Sequence, residues 1–468
     1  MRTKFNNVIS TRIPSFLCLI ILMCLTQGCK KDWLDVKADK QQAIPTTVVD
    51  MQAILDDRLI YSNYCFELNE VAADAHHYSD QVYQGFNPDY LRIQNAYTWS
   101  KIESFNNMED YTVKYAGHYA QIFRCNVILE VKQGSNDNSE FKHVRAQALF
   151  TRARHYYDLS QTFAVPYTVA TADQDLGVPL RLNTDNTEVS KRASVKQTYE
   201  QIIYDLKVAV NDLPIVSSYL TRGSKPAAYG LLSRVYLTMG DYTNALHYAN
   251  EYLTLKNELL DYNSLNPSSN VIGVNIETTF FQSILVGAYL NTQYLITQEL
   301  FDSYDDNDLR KKQFFRITAS GIIFKGDYSP SRTFMFTGIA TDEIYLISAE
   351  CKARKGDIGG AMKDLNDLLR KRWAKNIDGT SKYVDQTATD ETDALRKIFV
   401  ERRKELILRG LRWTDLRRLN QDPRFAVTLK RTIAGKEYTL EPNSSGYTFP
   451  FPKEAVERSE IKQNPGWE

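Results

Sequence analysis

Apolar residues recur at helical spacing along most of this chain. In EDYTVKYAGHYAQIFRCNVILEVK, residues 109–132, Tyr111, Tyr115, Tyr119, Ile122, Val127 and Leu129 fall near one face of a 3.6-residue period. FKHVRAQALFTRARHYYDLSQTFAVPY predicts a second long helix that ends near Pro166. TYEQIIYDLKVAVNDLP is amphipathic, follows Ser194 as a cap, and stops at Pro214. A shorter first helix is expected from Asp50 to Leu59, after a polar stretch from Lys30 to about Thr47.

Two segments carry a finer pattern. In AAYGLLSRVYLTMGDYTNALHYANEYL, Ala227 to Leu253, the small residues Ser233, Gly240, Ala245 and Ala249 sit where two helices must approach closely, and Gly240-Asp241 makes the turn. EIYLISAECKARKGDIGGAMKDLNDLLRKR, Glu343 to Arg372, repeats those offsets with Ala349, Gly356-Asp357, Ala361 and Leu365. Both predict helix pairs of the tetratricopeptide type. Their separation argues against a tandem array, so residues 260–340, rich in Asn, Ser, Thr and aromatics, read as an insertion of loops with short strands. LRKIFVERRKELILRGLRWTDLRRL, Leu395 to Leu419, is a further helix of mixed charge that Gly410 interrupts, and residues 421–468 read as irregular. The expected fold is mainly α: tetratricopeptide-like pairs forming an α superhelix over about 48–256 and 341–420, within one domain spanning 48–468.

The N-terminus changes the picture. Arg2, Lys4 and Arg12 precede the apolar run FLCLIILMCL, Phe16 to Leu25. A basic segment and a short apolar core make a secretory signal peptide, here 1–28. The run falls short of the roughly 20 residues of a spanning helix. Gly28-Cys29 follows, offering a thiol for lipid attachment. The stretch resembles a bacterial lipobox, although Thr26 and Gln27 depart from its tight form. Residues 29–47 are then a lipidated tether. Cys65, Cys125 and Cys351 are too few and too odd in number for a disulfide framework, and are expected as small buried hydrophobes with at most one bridge.

Charge and motifs narrow the chemistry. The chain has 57 basic and 57 acidic residues. Removing residues 1–28 takes away three basic residues and leaves 54 − 57 = −3. Such a balance gives no electrostatic case for nucleic acid. HExxH, GxSxG, GxGxxG and Gly-rich phosphate loops are absent from the sequence. No cofactor is implied. Paired carboxylates for glycoside hydrolysis are always available among 57 acids, so residue types alone are silent there.

Four stretches carry a resemblance to a known family: CKKDWLDVK after the lipobox, RAQALFTRARHYYDLSQTFAVPYTV, ERRKELILRGLRWTDLRRL from Glu401, and YTFPFPKEAVERSEIKQNPGW near the end. In order and content the chain resembles the SusD/RagB family, the outer-membrane nutrient-binding lipoproteins of Bacteroidetes. The resemblance implies a non-catalytic protein anchored through Cys29 to the outer membrane, facing the cell exterior. It would act as a lid over a SusC-like TonB-dependent transporter, capturing an oligosaccharide, or in some branches a peptide, and handing it to the barrel. A third reading is an interaction scaffold that grips a protein partner without a small ligand. In the ligand-capturing readings the insertion would be an irregular, loop-rich ligand-binding subdomain with a few short strands.

Candidate site residues follow from chemistry. Sugar rings present C–H faces to aromatic planes, and the 29 tyrosines each offer an apolar face with a polar tip. VYQGFNPDYLRIQNAYTWS, residues 82–100, reads as a loop carrying Tyr83, Phe86, Tyr90, Tyr97 and Trp99, with Trp99 the main platform; alternatively Trp99 caps the helix that follows. The resemblance implies that the stretch after the first helix contributes polar and aromatic residues to the binding face, which makes Asp74, His76 and Tyr78 of DAHHYSD candidates as a polar loop facing ligand. Adjacent histidines on one strand point to opposite faces and rarely share a metal. Tyr294, Tyr304, Tyr328 and Arg332 are candidates for the other wall. The basic cluster at 396–418 reads as a helix with internal ion pairs, Glu405 with Arg409 and Asp415 with Arg418. In the same reading Arg412 and Arg417 satisfy buried carbonyls and Trp413 anchors the core.

Overall fold

The computed structural model describes residues 45–57, 67–86, 90–101, 109–132, 138–269, 271–285, 294–330 and 334–467. Cys29, Cys65 and Arg332 lie outside the described residues. From Thr46 onward the chain forms one compact unit. Its longer helices are α1 (Val48–Leu55), α2 (Leu91–Thr98), α3 (Glu109–Glu130), α4 (Ser139–Phe163), α5 (Val195–Asp212), α6 (Lys225–Met239), α7 (Tyr242–Leu255), α8 (Thr341–Arg354), α9 (Ile358–Leu369), α10 (Glu391–Glu405) and α11 (Arg412–Leu419). The fold is mainly α and tetratricopeptide-like, with strands that are short and paired in small sheets.

Local chemistry sets the helix ends. Thr47 and Asp50 form a capping box at α1, and Ser194 and Gln197 do the same at α5, each satisfying two orphan backbone N–H groups. Helix α1 therefore begins at Val48, two residues before the expected Asp50, and ends at Leu55. Gly240 (φ 75°) and Gly356 (φ 83°) close α6 and α8 in the left-handed region that glycine enters without a Cβ penalty. Asp241 and Asp357 directly after them cap α7 and α9 through the N–H groups of Asn244 and Gly360, at 3.0 and 2.8 Å. Ser233, Ala245, Ala249, Ala349, Ala361 and Leu365 are all fully buried. Small side chains let the paired helices close up, and Ser233 Oγ donates to the Ala245 carbonyl at 2.9 Å across the first pair.

Packing runs α3 on α4, α4 on α5, α5 on α6, α6 on α7, α7 on α8 and α8 on α9. Helices α7 and α8 are in direct contact although residues 256–340 separate them in sequence. The two pairs thus stack as neighbours, and the insertion leaves the stack and returns. Within it, Thr278–Phe280 pairs with Ile339–Ala340, Ser283–Leu285 with Phe334–Phe336, and Phe315–Thr318 with Gly321–Phe324. Leu295–Ile296 pairs instead with His76–His77, binding the insertion to the N-terminal segment.

Two expectations are corrected. Residues 82–100 are not a loop: helices Asp80–Gln84 and α2 occupy most of them. Ile93, Ala96 and Tyr97 fall on one buried helical face, and that apolar spacing outweighs the loop-like composition. The C-terminal segment contains the hairpin Leu429–Ile433/Lys436–Leu440, turned by Ala434 (φ 48°) and Gly435 (φ 78°), which is the double positive-φ turn that suits strand twist.

The basic segment is the centre of a buried ion network. It splits into α10 and α11 around Leu408 (φ 57°) and Gly410 (φ 72°). Arg310, from the insertion, bonds Asp308 at 2.7 Å, Glu401 at 2.5 Å and Glu405 at 2.9 Å. Arg372, at the end of the second helix pair, bonds Glu405 at 2.7 Å and Glu277 at 2.9 Å. Both arginines are fully buried. Arg409 bonds Asp342 at 2.5 Å, and Arg418 bonds Glu350 at 2.6 Å and Asp415 at 2.9 Å. The expected Asp415–Arg418 pair is present. The expected Glu405–Arg409 pair is not, because Glu405 faces Arg310 and Arg372 instead. Arg417 donates to the carbonyls of Gln161 and Ala164 as anticipated, whereas Arg412 pairs with a carboxylate, Asp74, at 2.8 Å. Trp413 is fully buried, 4.8 Å from the Tyr447 ring centre. Glu70 joins from the N-terminal side: one oxygen accepts from Gly410 N at 2.9 Å and the other has no partner.

Burying ions is costly unless each is paired, so removing one partner strands the other. Arg372→Met leaves Glu277 and Glu405 short of a cation and is expected to cost about 3–5 kcal/mol. A urea titration reads this, and a loss of roughly 1 kcal/mol or less, the level of an exposed pair, would contradict it. Burial pushes the Glu70 carboxyl up to about 7, from 4.5. The folded state keeps that proton while the unfolded chain releases it, so Glu70 makes stability fall as pH rises from about 4.5 to about 7. Glu70→Gln is therefore expected to gain in Tm relative to the parent across that window, and a pH-independent difference would contradict this.

Candidate functional site

The segment Ala72–Trp99 and the C-terminal hairpin together build an aromatic cluster. His76, 2% exposed, lies 5.5 Å from the rings of Tyr78 and Tyr294 and 5.9 Å from Tyr97. Tyr78 packs at 4.8 Å on Tyr97 and 5.1 Å on Phe86. The Tyr97 hydroxyl accepts from the Tyr78 backbone N–H at 3.2 Å. These rings form the floor. Tyr83 lies 5.9 Å from Tyr97 and 6.1 Å from Phe86, and with Trp99 and Tyr438 it remains half-buried, forming a rim that reaches solvent; Tyr90, also half-buried, lies instead under the Arg92 guanidinium at 5.9 Å.

Trp99 is held from three sides. It closes the preceding helix α2, rather than capping a following one, and does so with φ 54°. That left-handed conformation is uncommon and strained for a bulky residue. Its indole N–H donates to the Ala72 carbonyl at 3.0 Å. The Arg431 guanidinium lies over its ring at 4.5 Å and over Tyr97 at 3.8 Å. Arg431 is buried and its hydrogen bonds go to the carbonyls of Ala72, Ala73 and Tyr97. Burial lowers it to about 10, still charged at neutral pH. The hairpin turn is pinned as well, with Ala434 N donating to Asp80 at 2.9 Å.

The polar candidates divide. Asp74 takes both Arg412 nitrogens at 2.8 Å and Arg403 at 3.4 Å. Burial opposes its charge, but these cations outweigh burial and hold its carboxyl below the usual range. Burial and Arg431 keep the His76 ring neutral, and neither of its nitrogens has a hydrogen-bond partner. The Tyr78 hydroxyl is likewise buried without one. Tyr83 makes a long contact, 3.5 Å, to Thr98 Oγ1.

The insertion tyrosines separate further. Tyr294 belongs to the floor. Tyr304 and Tyr328 do not: they lie inside the ion network, 1% and 3% exposed. Tyr304 donates to the Lys404 carbonyl at 2.8 Å, and the Tyr328 hydroxyl meets Glu277 and, at 3.2 Å, Asp342. Arg431, Tyr438 and the Arg412–Asp74 pair were not anticipated. The alternation in LKRTIAGKEYTL was the available signal for the first two. Among the described residues, Glu277, Asp342 and Glu405 bring carboxylate oxygens within 4.8 Å of one another. Arg372, Arg310, Arg409 and Tyr328 already meet those oxygens, so the cluster is a closed ion network rather than an open cation site. No helix among the described residues is long and apolar enough to cross a membrane.

Comparison with known proteins agrees with this architecture. The family model SusD-like_3, described as starch-binding and associating with the outer membrane, matches residues 32–237, and that of the SusD family matches 341–467. No curated protein matches the chain. Among solved structures, a SusD superfamily protein from Bacteroides thetaiotaomicron is 21% identical with a TM-score of 0.72, covering 90% of this chain and 100% of its own. A SusD-like carbohydrate binding protein from Bacteroides vulgatus is 19% identical with a TM-score of 0.69, covering 88% and 97%. A laminarin binding SusD-like protein is 20% identical with a TM-score of 0.64, covering 89% and 98%. Matched at both ends by models of one family and sharing its mainly helical fold, the chain belongs to the SusD/RagB family.

Proposed function

We propose that this protein is a lipid-anchored, outer-membrane carbohydrate-binding protein that presents oligosaccharide to a SusC-like TonB-dependent transporter and performs no chemistry on it. The observation that carries the ligand assignment is Trp99: a bulky residue held at positive φ, fixed by Ala72 and Arg431, and left half-exposed on an aromatic rim. Backbone strain of this kind persists only where the surroundings over-determine it, and it concentrates at binding sites. A ring fixed in advance loses little freedom when a sugar stacks on it, which favours affinity.

In this reading Trp99, Tyr83 and Tyr438 supply stacking faces. His76, Tyr78, Tyr97 and Tyr294 support them from below, and Asp74 fixes the segment through Arg412. The orphaned polar atoms of His76 and Tyr78 give the floor unused hydrogen-bonding capacity. Arg332 remains a candidate for the opposite wall. The laminarin-binding relative supports a glycan over a peptide as cargo. Anchoring would run through an acyl group on Cys29, with the polar residues after it as a tether. One acyl chain binds a membrane only marginally, so several chains or the transporter must hold it there.

Trp99→Ala is expected to weaken oligosaccharide binding about tenfold, or about 1.4 kcal/mol, with thermal stability changed much less. Titration calorimetry against a panel of glucans and other glycans measures this, with peptides as the control arm. Unchanged glycan affinity would remove the site assignment, and binding of peptides alone would replace the cargo. Cys29→Ser is expected to abolish incorporation of labelled palmitate and to release the protein from the membrane fraction. Retained label would refute the anchor.

A further inference from the structure

A groove of about 450 Å³ lies between α3, the stretch 179–190 and the helix Lys453–Glu457. Its walls share no residue with the aromatic cluster around Trp99. Tyr115, Tyr119 and Phe123 recur every four residues along α3 and so form one aromatic stripe on the first wall. Tyr119 donates its hydroxyl to the Pro179 carbonyl at 2.9 Å, and its ring packs 5.0 Å from that of Tyr115. Tyr115 is buried, Tyr119 half-buried and Phe123 exposed, at 38%. With the Tyr119 hydroxyl spent, the stripe offers ring surface.

The second wall is held in place although it contains neither helix nor strand from Leu180 to Ser190. Asn126 of α3, fully buried, accepts from Arg152 at 2.8 Å and donates to the carbonyls of Arg181 and Asn183, both at 2.9 Å. The Tyr156 hydroxyl accepts from Arg181 N at 2.8 Å and donates to its carbonyl at 2.6 Å. The Arg181 side chain bonds the carbonyls of Asp185 and Glu188, and Glu130 takes Thr184 N at 2.8 Å. An irregular stretch clamped in this way to α3 and α4 presents Asn183 and Asn186 to the groove already ordered, which saves entropy when a ligand binds.

The polar complement decides the ligand class. Among the described residues, the side chains of Asn186, Glu454 and Arg458 make no hydrogen bond or ion pair. Glu454 and Arg458 carry opposite charges, so together they select for neither an anion nor a cation. The carboxylate accepts, the guanidinium donates and the carboxamide does both. Sugar hydroxyls also donate and accept, and the ring that carries them has apolar C–H faces. A neutral glycan therefore uses the stripe and the polar groups at once, whereas an apolar ligand uses only the stripe. A concave site of a few hundred Å³ with aromatic walls and a few polar groups suits a small ligand. A protein partner needs a broad surface of about 800 Å².

We infer that this groove is a second glycan-binding site, separate from the rim, which takes a short run of neutral sugar residues. Tyr119 and Phe123 stack on the sugar rings, while Asn186, Glu454 and Arg458 meet the hydroxyls. The inference rests on the reading of the protein as a carbohydrate binder but is independent of the Trp99 assignment. The stripe meets the ligand through side chains alone, so α3 keeps its backbone hydrogen bonds unchanged. Two sites on one molecule retain a long glycan better than either does alone.

The test is diffraction from crystals of the mature protein soaked in laminarihexaose or, separately, in maltohexaose. Sugar density against Phe123 and Arg458 is expected. Density on the rim alone would overturn this inference and leave the proposed function standing. Density in the groove alone would uphold it and remove the Trp99 assignment, and density at neither place would overturn both. In solution, calorimetry on the Trp99→Ala protein is expected to keep a component of hexaose binding. Adding Phe123→Ala is expected to weaken that component about tenfold at unchanged Tm. Arg458→Ala, a change to an exposed side chain without a structural partner, is expected to weaken it too. A component indifferent to both changes would overturn the site.

Discussion

The fold depends on a buried exchange of charge between α10–α11 and everything packed around them. Arg310 reaches in from the insertion, Arg372 from the end of the second helix pair, Asp74 and Glu70 from the N-terminal segment, and Glu350 from α8. Apart from Glu70, whose carboxyl burial keeps protonated up to about 7, each of these groups is an ion tolerated only because its partner lies within hydrogen-bonding distance. Apolar packing would hold the same elements together without caring much about register. Ion pairs of defined geometry do care, because a displaced partner leaves a bare charge in low dielectric. The network therefore acts as a registration device that sets where the insertion and the N-terminal segment sit on the helical stack.

That registration matters because the aromatic rim has no helix pair of its own beneath it. Its floor is assembled from a two-residue strand, a short helix and the C-terminal hairpin, none of which would be stable alone. Arg412 fixes Asp74, Arg431 clamps Tyr97 and Trp99, and Asp80 holds the hairpin turn. The helical stack supplies rigidity, the ion network transmits position, and the hairpin presents the rings. Helices α7 and α8 pack directly against each other across the insertion, so the stack is continuous, while Glu277, Asp308 and Arg310 tie the insertion into the ion network.

Much of this was legible in the sequence, and the failures have physical causes. The helix pairs were visible because close helix approach demands small residues at fixed offsets, and Gly-Asp at each turn supplies both the left-handed residue and the next cap. Segment 82–100 reads as a loop because five aromatic residues and the turn formers Gly85, Asn87, Pro88 and Asp89 mask the helical face of Ile93, Ala96 and Tyr97. The Glu405–Arg409 pairing failed because helical spacing describes only local options, and the partners that prevailed, Arg310 and Arg372, arrive from 95 and 33 residues away. The hairpin at 429–440 escaped notice because Ala434-Gly435 is not the usual Asn-Gly turn. At the candidate site, composition marked the stretch that forms the aromatic cluster but could not separate floor from rim, since tyrosines buried in the ion network and tyrosines facing solvent look alike along the chain.

Hydrogen–deuterium exchange of the mature protein with and without a bound oligosaccharide tests most directly whether a pre-set rim takes the ligand. Protection is expected in residues 67–101 and 429–440, with α3 through α9 unchanged. Protection confined to the helical stack, or spread over the whole chain, would contradict a rigid scaffold presenting a fixed aromatic rim.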